Sequence, residues 1–490
     1  MNKPLGRVVI AMMVLFLLLI GNATYTQYVH ADALRDNSRN SRVLLSEYDH
    51  PRGNILAGSH PIASSKATDD SLKYLRTYAD GPVYAPVTGF YSLVYGATGM
   101  ESVENDVLAG TDDRLALSRL SDLFTGRSPK GGNAVLTIDR KVQETAYKAM
   151  AKQTGSVVAM NPKTGAILGM VSTPSYDPNK LSTHDGAQIQ KTYKQLLNAK
   201  GNPLLDRAIS QTYPPGSVFK TIVSAAALKN GTKPDDRIPA PDGLPLPQSS
   251  HILHNFDGET CGDGKTDTFT HALTISCNTA FASLGLKLGA QKIKDEAKAF
   301  GIDGKSFKMP LKVAGSDTGP IPDDAKLAES SIGQQDVRIT PLQGAMIASA
   351  IANGGTLMKP YLVKQIQAND FSVVDSTDPE KQSEPMSSGD ADKLTQMMKT
   401  VVSAPDGTGR SAAIPGVQVA GKTGTADNAP GAAPHAWFIG FAPADNPTVA
   451  VAVLIEHGGV NGNETTGGEA AGPIAKAVMQ AALSESGGGH

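Results

Sequence analysis

The chain reads as an α+β protein: an antiparallel sheet flanked by helices, preceded by a smaller strand-rich domain and an N-terminal membrane anchor. Three observations predict this. β-branched hairpin runs stand at both ends of the larger region with helical segments between them. A glycine-rich polar stretch at 125–133, "TGRSPKGGN", separates that region from a preceding one of short alternating segments. An unbroken apolar run at 8–20 follows closely behind Lys3 and Arg7.

The apolar run alone is short for a bilayer span, but extended to Val29 it reaches the ~20 residues that a transmembrane helix needs. A cleaved signal peptide is the alternative, and the length of its apolar region would fit. The small-residue triplet Ala31-Asp32-Ala33 lies too far from Ile20 for the usual cleavage site. Residues 1–29 are therefore expected to be a cytoplasmic stub and uncleaved anchor, with the body of the protein outside.

Residues 30–130 form the expected first domain, where "GPVYAPVTGFYSLVYGATGMESVENDVLAG" predicts short alternating strands. Residues 131–490 form the second. It opens with a strand and helix in "AVLTIDRKVQETAYKAM", followed by a hairpin in "GSVVAMNPKTGAILGMVST". "HAWFIGFAP" and "PTVAVAVLIEHGG" predict another antiparallel pair, and "EAAGPIAKAVMQAAL" a closing helix.

A chain of 490 residues has room for two or three domains. Its net charge of −2 gives no electrostatic reason to expect nucleic acid. Ten histidines occur without a His-Glu-x-x-His or paired Cys-x-x-Cys pattern, so neither metal nor cofactor is expected. Cys261 and Cys277, sixteen positions apart, are candidates for a disulfide if the chain is exported; two unrelated buried thiols are the alternative.

The segment "PPGSVFKTIVSAAAL" places Ser217 three residues before Lys220 in an apolar helix. A buried lysine loses charge by desolvation, and a neutral amine can accept the serine proton. Alone, the pair reads as a capping serine with a snorkelling lysine. Two further segments change that reading: Ser276, Cys277 and Asn278, then "KTGT" beginning at Lys422. Serine-x-x-lysine, serine-aspartate-asparagine and lysine-threonine-glycine occur together in penicillin-binding proteins and class A β-lactamases. Here cysteine stands where that pattern has aspartate.

On these motifs, and on "HPRGNI", "YGATGMESVENDVLAG", "SSIGQQDVRITPLQGA" and "HAWFIGFAP", the chain resembles a class B penicillin-binding protein of the small actinobacterial type. The resemblance implies a penicillin-binding, β-lactamase-like transpeptidase domain acting as a D,D-transpeptidase on D-Ala-D-Ala stem peptides. It implies Ser217 as nucleophile, Lys220 as its base, and Ser276 as a proton relay. Asn278 would hold the substrate backbone or Lys220, and Lys422 would supply positive potential. Thr423 and Thr425 would bind the terminal carboxylate, with Gly424 leaving space for substrate. The backbone N–H groups of Ser217 and Thr425 would form the oxyanion hole. Implied partners are lipid-linked or nascent peptidoglycan, β-lactams, the membrane, a separate glycosyltransferase, and division or elongation proteins. The ~100 residues before the second domain are too few for a polymerising domain.

Other readings compete. The chain could be a non-catalytic division or elongation scaffold, a D,D-carboxypeptidase, or a β-lactam-interacting protein of the same fold. Residues 416–423, "GVQVAGKT", match a phosphate-binding loop letter for letter, but prolines and glycines follow where a helix must start. His435 and Trp437 read as packing, Arg52-Gly53 as structural, and "DGTGRSA" as a surface turn.

Overall fold

The apolar N-terminus forms the helix Lys3–Thr24, continued by a wider turn at Tyr25–Val29. The span Pro4–Tyr28 contains an 18-residue window of mean hydropathy 2.3, none of it buried, so it is long and apolar enough to cross a membrane. The computed structural model describes residues 3–29, 48–117, 119, 124, 130–150, 152–427, 432–464 and 466–486. Most of the expected linker, at 125–129, and the start of the first domain, at 30–47, lie outside the described residues.

Two sheets organise the body. The larger domain is built on five antiparallel strands in the order Ala420–Ala426, His435–Ala442, Val449–Ile455, Gly155–Met160, Ile167–Thr173. The two hairpins read from the sequence thus join through the pairing of Val449–Ile455 with Gly155–Met160. Side chains alternate across this sheet, and both faces are covered. Val158, Met160, Trp437, Ile439, Ala450, Ala452 and Leu454 enter one core. Val157, Ala159, Phe438, Val449, Val451 and Val453 enter the other. Burial on both sides explains why "VAVAVLI" is apolar without interruption.

Helices supply the covers. Arg140–Met150 and Gly467–Ser486 put Val142, Ala146, Ile474 and Val478 against one face. Pro341–Ala352 lies on the other, where a side chain at Gly344 would meet Ala452 at 3.3 Å and Ile439 at 3.4 Å. The glycine lets that helix approach the sheet closely.

The second sheet has six strands in the order Val373–Ser376, Val363–Gln367, Asn133–Leu136, Ile55–Ala57, His60–Ala67, Tyr74–Tyr78. Asn133–Leu136 runs parallel to Ile55–Ala57; the remaining pairings are antiparallel. This sheet therefore combines the first region with a hairpin from the middle of the second.

The strands expected around residues 81–110 are largely helical. Gly81–Thr88 and Gly99–Val103 are helices, with only two-residue strands at Tyr91–Ser92 and Gly96–Ala97. Pro82 at the start of the first helix and the burial of Tyr84, Ala85, Val87 and Thr88 favour the turn over the extended form.

A buried ion cluster locks this region. Both oxygens of Glu101 are used: Arg52 Nε donates at 2.8 Å and Arg76 Nε at 2.6 Å. Arg52 also donates to Glu101 O, Arg76 to Gly53 O, and Tyr78 OH to Glu101 Oε1. Burial works against the carboxylate, but the two guanidiniums outweigh it and lower its pKa. Arg52 is structural, as expected.

Candidate active site

The turn bearing Ser217 is built by close backbone approaches. Gly216 has φ +52°, and its N–H donates to Gly333 O at 3.0 Å. A side chain at 216 would run into Thr425 O, so the turn lies directly against the strand Ala420–Ala426. Trp437 Nε1 donates to Pro214 O at 2.9 Å, tying the preceding loop to the sheet. The sequence reading of Trp437 as packing is thereby given a specific contact.

Gly216–Phe219 forms a 3₁₀ turn that runs into the helix Lys220–Lys229. In a 3₁₀ turn, positions i and i+3 eclipse, so Ser217 and Lys220 share a side. Ser217 is half-buried and Lys220 fully buried.

Ser276 brings the other two motifs to this turn. It follows the helix Phe269–Thr274 in a left-handed conformation, φ +63°. Lys220 Nζ donates to Ser276 O at 2.6 Å and Asn278 Oδ1 at 2.8 Å, and lies 3.3 Å from Ser276 Oγ. Lys422 Nζ donates to Ser276 Oγ at 2.8 Å and to Thr423 O at 2.9 Å. One hydroxyl thus stands between two buried amines. The Ser217 hydroxyl is not among the hydrogen-bond partners of either amine.

Both amines are shifted. Burial holds Lys220 well below the usual lysine value, and the neighbouring Lys422 adds to the effect. Burial also lowers Lys422, to about 7. A neutral Lys220 has two hydrogens and one lone pair. With the hydrogens on Ser276 O and Asn278 Oδ1, the lone pair is left to accept a hydroxyl proton.

On the third motif, Lys422 is central in a strand, so no phosphate-binding helix follows it. Thr423 Oγ1 lies 2.7 Å from Thr408 Oγ1, and Thr425 Oγ1 accepts from Gly467 N at 3.3 Å. A side chain at Gly424 would meet Pro215 O at 2.7 Å and Val218 Cγ2 at 3.0 Å. The glycine is therefore required by the Ser217 turn that packs against it. Cys261 and Cys277 are bonded, with Cα atoms 6.2 Å apart. A separate cavity of about 310 Å³ lies among Glu104, Arg114, Lys359 and Tyr361 and includes none of these motif residues.

Residues 155–480 match the penicillin binding protein transpeptidase domain, and residues 52–134 the penicillin binding protein A dimerisation domain. The chain belongs to the penicillin-binding protein transpeptidase family. It is 50% identical to peptidoglycan D,D-transpeptidase PbpA of Mycolicibacterium smegmatis, over 99% of this chain and 100% of that one. Identity to the PbpA of Mycobacterium tuberculosis is 46%, over 99% of each chain. The ceftriaxone acyl-enzyme structure of penicillin-binding protein A from M. tuberculosis superposes with a TM-score of 0.87 at 46% identity. That match covers 90% of this chain and 100% of the other.

Two residues of this transpeptidase site escaped the sequence reading. Thr408 belongs to the expected surface turn "DGTGRSA" but reaches the Thr423 hydroxyl. Asn255 lies in "HNFDGE", whose composition signals a turn and nothing more. Its side chain contacts the segment that carries Asn278. Neither residue has a spacing or neighbour in the sequence that marks it; both are brought in by the fold alone.

Proposed function

We propose that this protein is a membrane-anchored peptidoglycan D,D-transpeptidase that cross-links stem peptides through an acyl-enzyme at Ser217. One observation carries the assignment of roles: two buried lysines, one at the nucleophile turn and one on the edge strand, meet at a single serine hydroxyl. This is a route for moving a proton between two buried amines.

Ser217 Oγ attacks the carbonyl between two D-alanines, and its proton passes to the neutral Lys220 amine. The backbone N–H groups of Ser217 and Thr425 stabilise the tetrahedral oxyanion. The peptide C–N bond breaks as the leaving D-alanine amine takes a proton delivered through Ser276 from the lysine pair. Asn278 holds Lys220 by accepting one of its hydrogens. Lys422, Thr423 and Thr425 bind the substrate's terminal carboxylate, with Gly424 keeping the edge strand close to the nucleophile turn. An amine of a neighbouring stem then attacks the ester and loses a proton to the same pair; the new amide bond forms as the C–O bond to Ser217 breaks, and the pair returns the proton to Ser217 Oγ. A β-lactam enters the first half of this sequence and remains as the acyl group. The chemistry uses side chains and backbone groups only.

The helix Lys3–Thr24 is the single membrane span, with Lys3 and Arg7 on the cytoplasmic side and the catalytic region outside. A separate glycosyltransferase and division or elongation proteins are the partners this arrangement calls for. The deciding experiment labels the purified full-length protein with a fluorescent β-lactam. The wild type is expected to carry one covalent label that Ser217→Ala lacks; equal labelling of the two, or none of the wild type, overturns the proposal.

A further inference from the structure

The helix Asn278–Leu288 begins with a residue of the second motif, and its first backbone N–H groups need acceptors. The N-cap position belongs to Cys277, whose side chain makes no capping bond and whose sulfur is held by Cys261. Serine, aspartate or asparagine at that position could have capped the helix directly; cysteine cannot.

The acceptor comes from Asn255 instead. Its Oδ1 receives the N–H of Asn278 at 2.9 Å, the N–H of Thr279 at 3.0 Å and the hydroxyl of Thr279 at 3.3 Å. Its Nδ2 donates to Glu259 O at 3.0 Å, and the residue is 7% exposed. This pattern fixes the amide's orientation, since a flipped amide would set NH₂ against three donors and oxygen against a carbonyl. Next to it, His254 O accepts from Asn278 Nδ2 at 3.3 Å. The main chain and the side-chain amide of Asn278 are thus both oriented by residues 254 and 255. That orientation leaves Asn278 Oδ1 facing Lys220 Nζ at 2.8 Å. The bond from Cys261 to Cys277 fastens the far end of the same loop to the same junction.

We propose that Asn255 is a positioning residue for acylation: it caps the Asn278 helix from a distant segment and, through the Asn278 amide, sets the Lys220 amine for proton transfer. This rests on the transpeptidase reading above. Asn255 touches neither amine and is not itself catalytic.

The test uses the full-length protein in detergent and separates reversible β-lactam binding from the acylation rate constant. Asn255→Ala is expected to slow acylation by about ten- to a hundredfold, the scale of a slight misplacement of reacting groups, with reversible affinity little changed. Asn255→Asp, which keeps an acceptor at the helix N-terminus but sets its second oxygen against Glu259 O, is expected to recover part of the rate. If the alanine variant does not accumulate, Asn255→Ser, too short to reach both N–H groups, is read in its place. Wild-type acylation rates in the alanine or serine variant would overturn the proposal, as would an aspartate variant equally slow with unchanged thermal midpoint. A wild type that takes up no label is a different result, since it removes the transpeptidase reading itself.

Discussion

Ser276 has the least comfortable backbone of the motif residues. Its φ of +63° costs a non-glycine residue on the order of 1 kcal/mol. The conformation turns its carbonyl and its hydroxyl toward the same amine, Lys220, while the hydroxyl also receives Lys422. The charge of Lys422 then matters to Lys220. In the proposed mechanism acylation needs Lys220 as the free base, so its rate should hold at neutral pH and fall as acid protonates that amine. Lys422→Met removes the positive neighbour that helps to depress Lys220, and the Lys220 value rises. The acid limb of the residual acylation rate should accordingly move to higher pH, measured between about pH 5 and 9. An unmoved limb would mean that Lys220 does not govern it. At this scale much of the site was legible. Ser217, Lys220, Ser276, Asn278 and Lys422 stand in ordered motifs, and the fold brings four of the five into direct hydrogen-bond contact. Asn255 and Thr408 were not legible, because a capping amide or a bridging hydroxyl far away in sequence leaves no periodicity behind.

Among the elements, the central strands of the five-stranded sheet followed from their apolar runs because they are buried on both faces, whereas the edge strand Ala420–Ala426 carries the polar motif. The helix at Gly81–Thr88 did not, since its alternating residues suit a strand and only tertiary burial decides otherwise. The Glu101 cluster shows the same limit: "HPRGNI" marks Arg52, but Arg76 and Glu101 are ordinary charges until the chain folds. Their arrangement makes a strong demand. Glu101→Gln leaves two buried guanidiniums without a counter-charge, which should cost about 3–5 kcal/mol. Chemical denaturation should detect that loss in the transition that reports the six-stranded sheet. A change within the error of the measurement would show that other groups compensate the arginines.

Across the whole molecule, the six-stranded sheet draws its strands from three separate stretches of chain. Asn133–Leu136 and the hairpin of Val363–Gln367 with Val373–Ser376 complete what Ile55–Ala57 begins. A gene divided after residue 130 should therefore yield an N-terminal piece that is insoluble alone and recovered on co-expression with the remainder. Soluble, folded material from residues 48–130 by itself would contradict this. Timing follows from the same topology. With the orientation proposed above, a polypeptide translocated in order of synthesis behind its anchor would present Asn133–Leu136 with one ladder edge open until residue 363 has emerged. On that topology the nascent chain would carry an unpaired strand through the interval, and its successful maturation would depend on how quickly translocation finishes or on what shields the edge meanwhile.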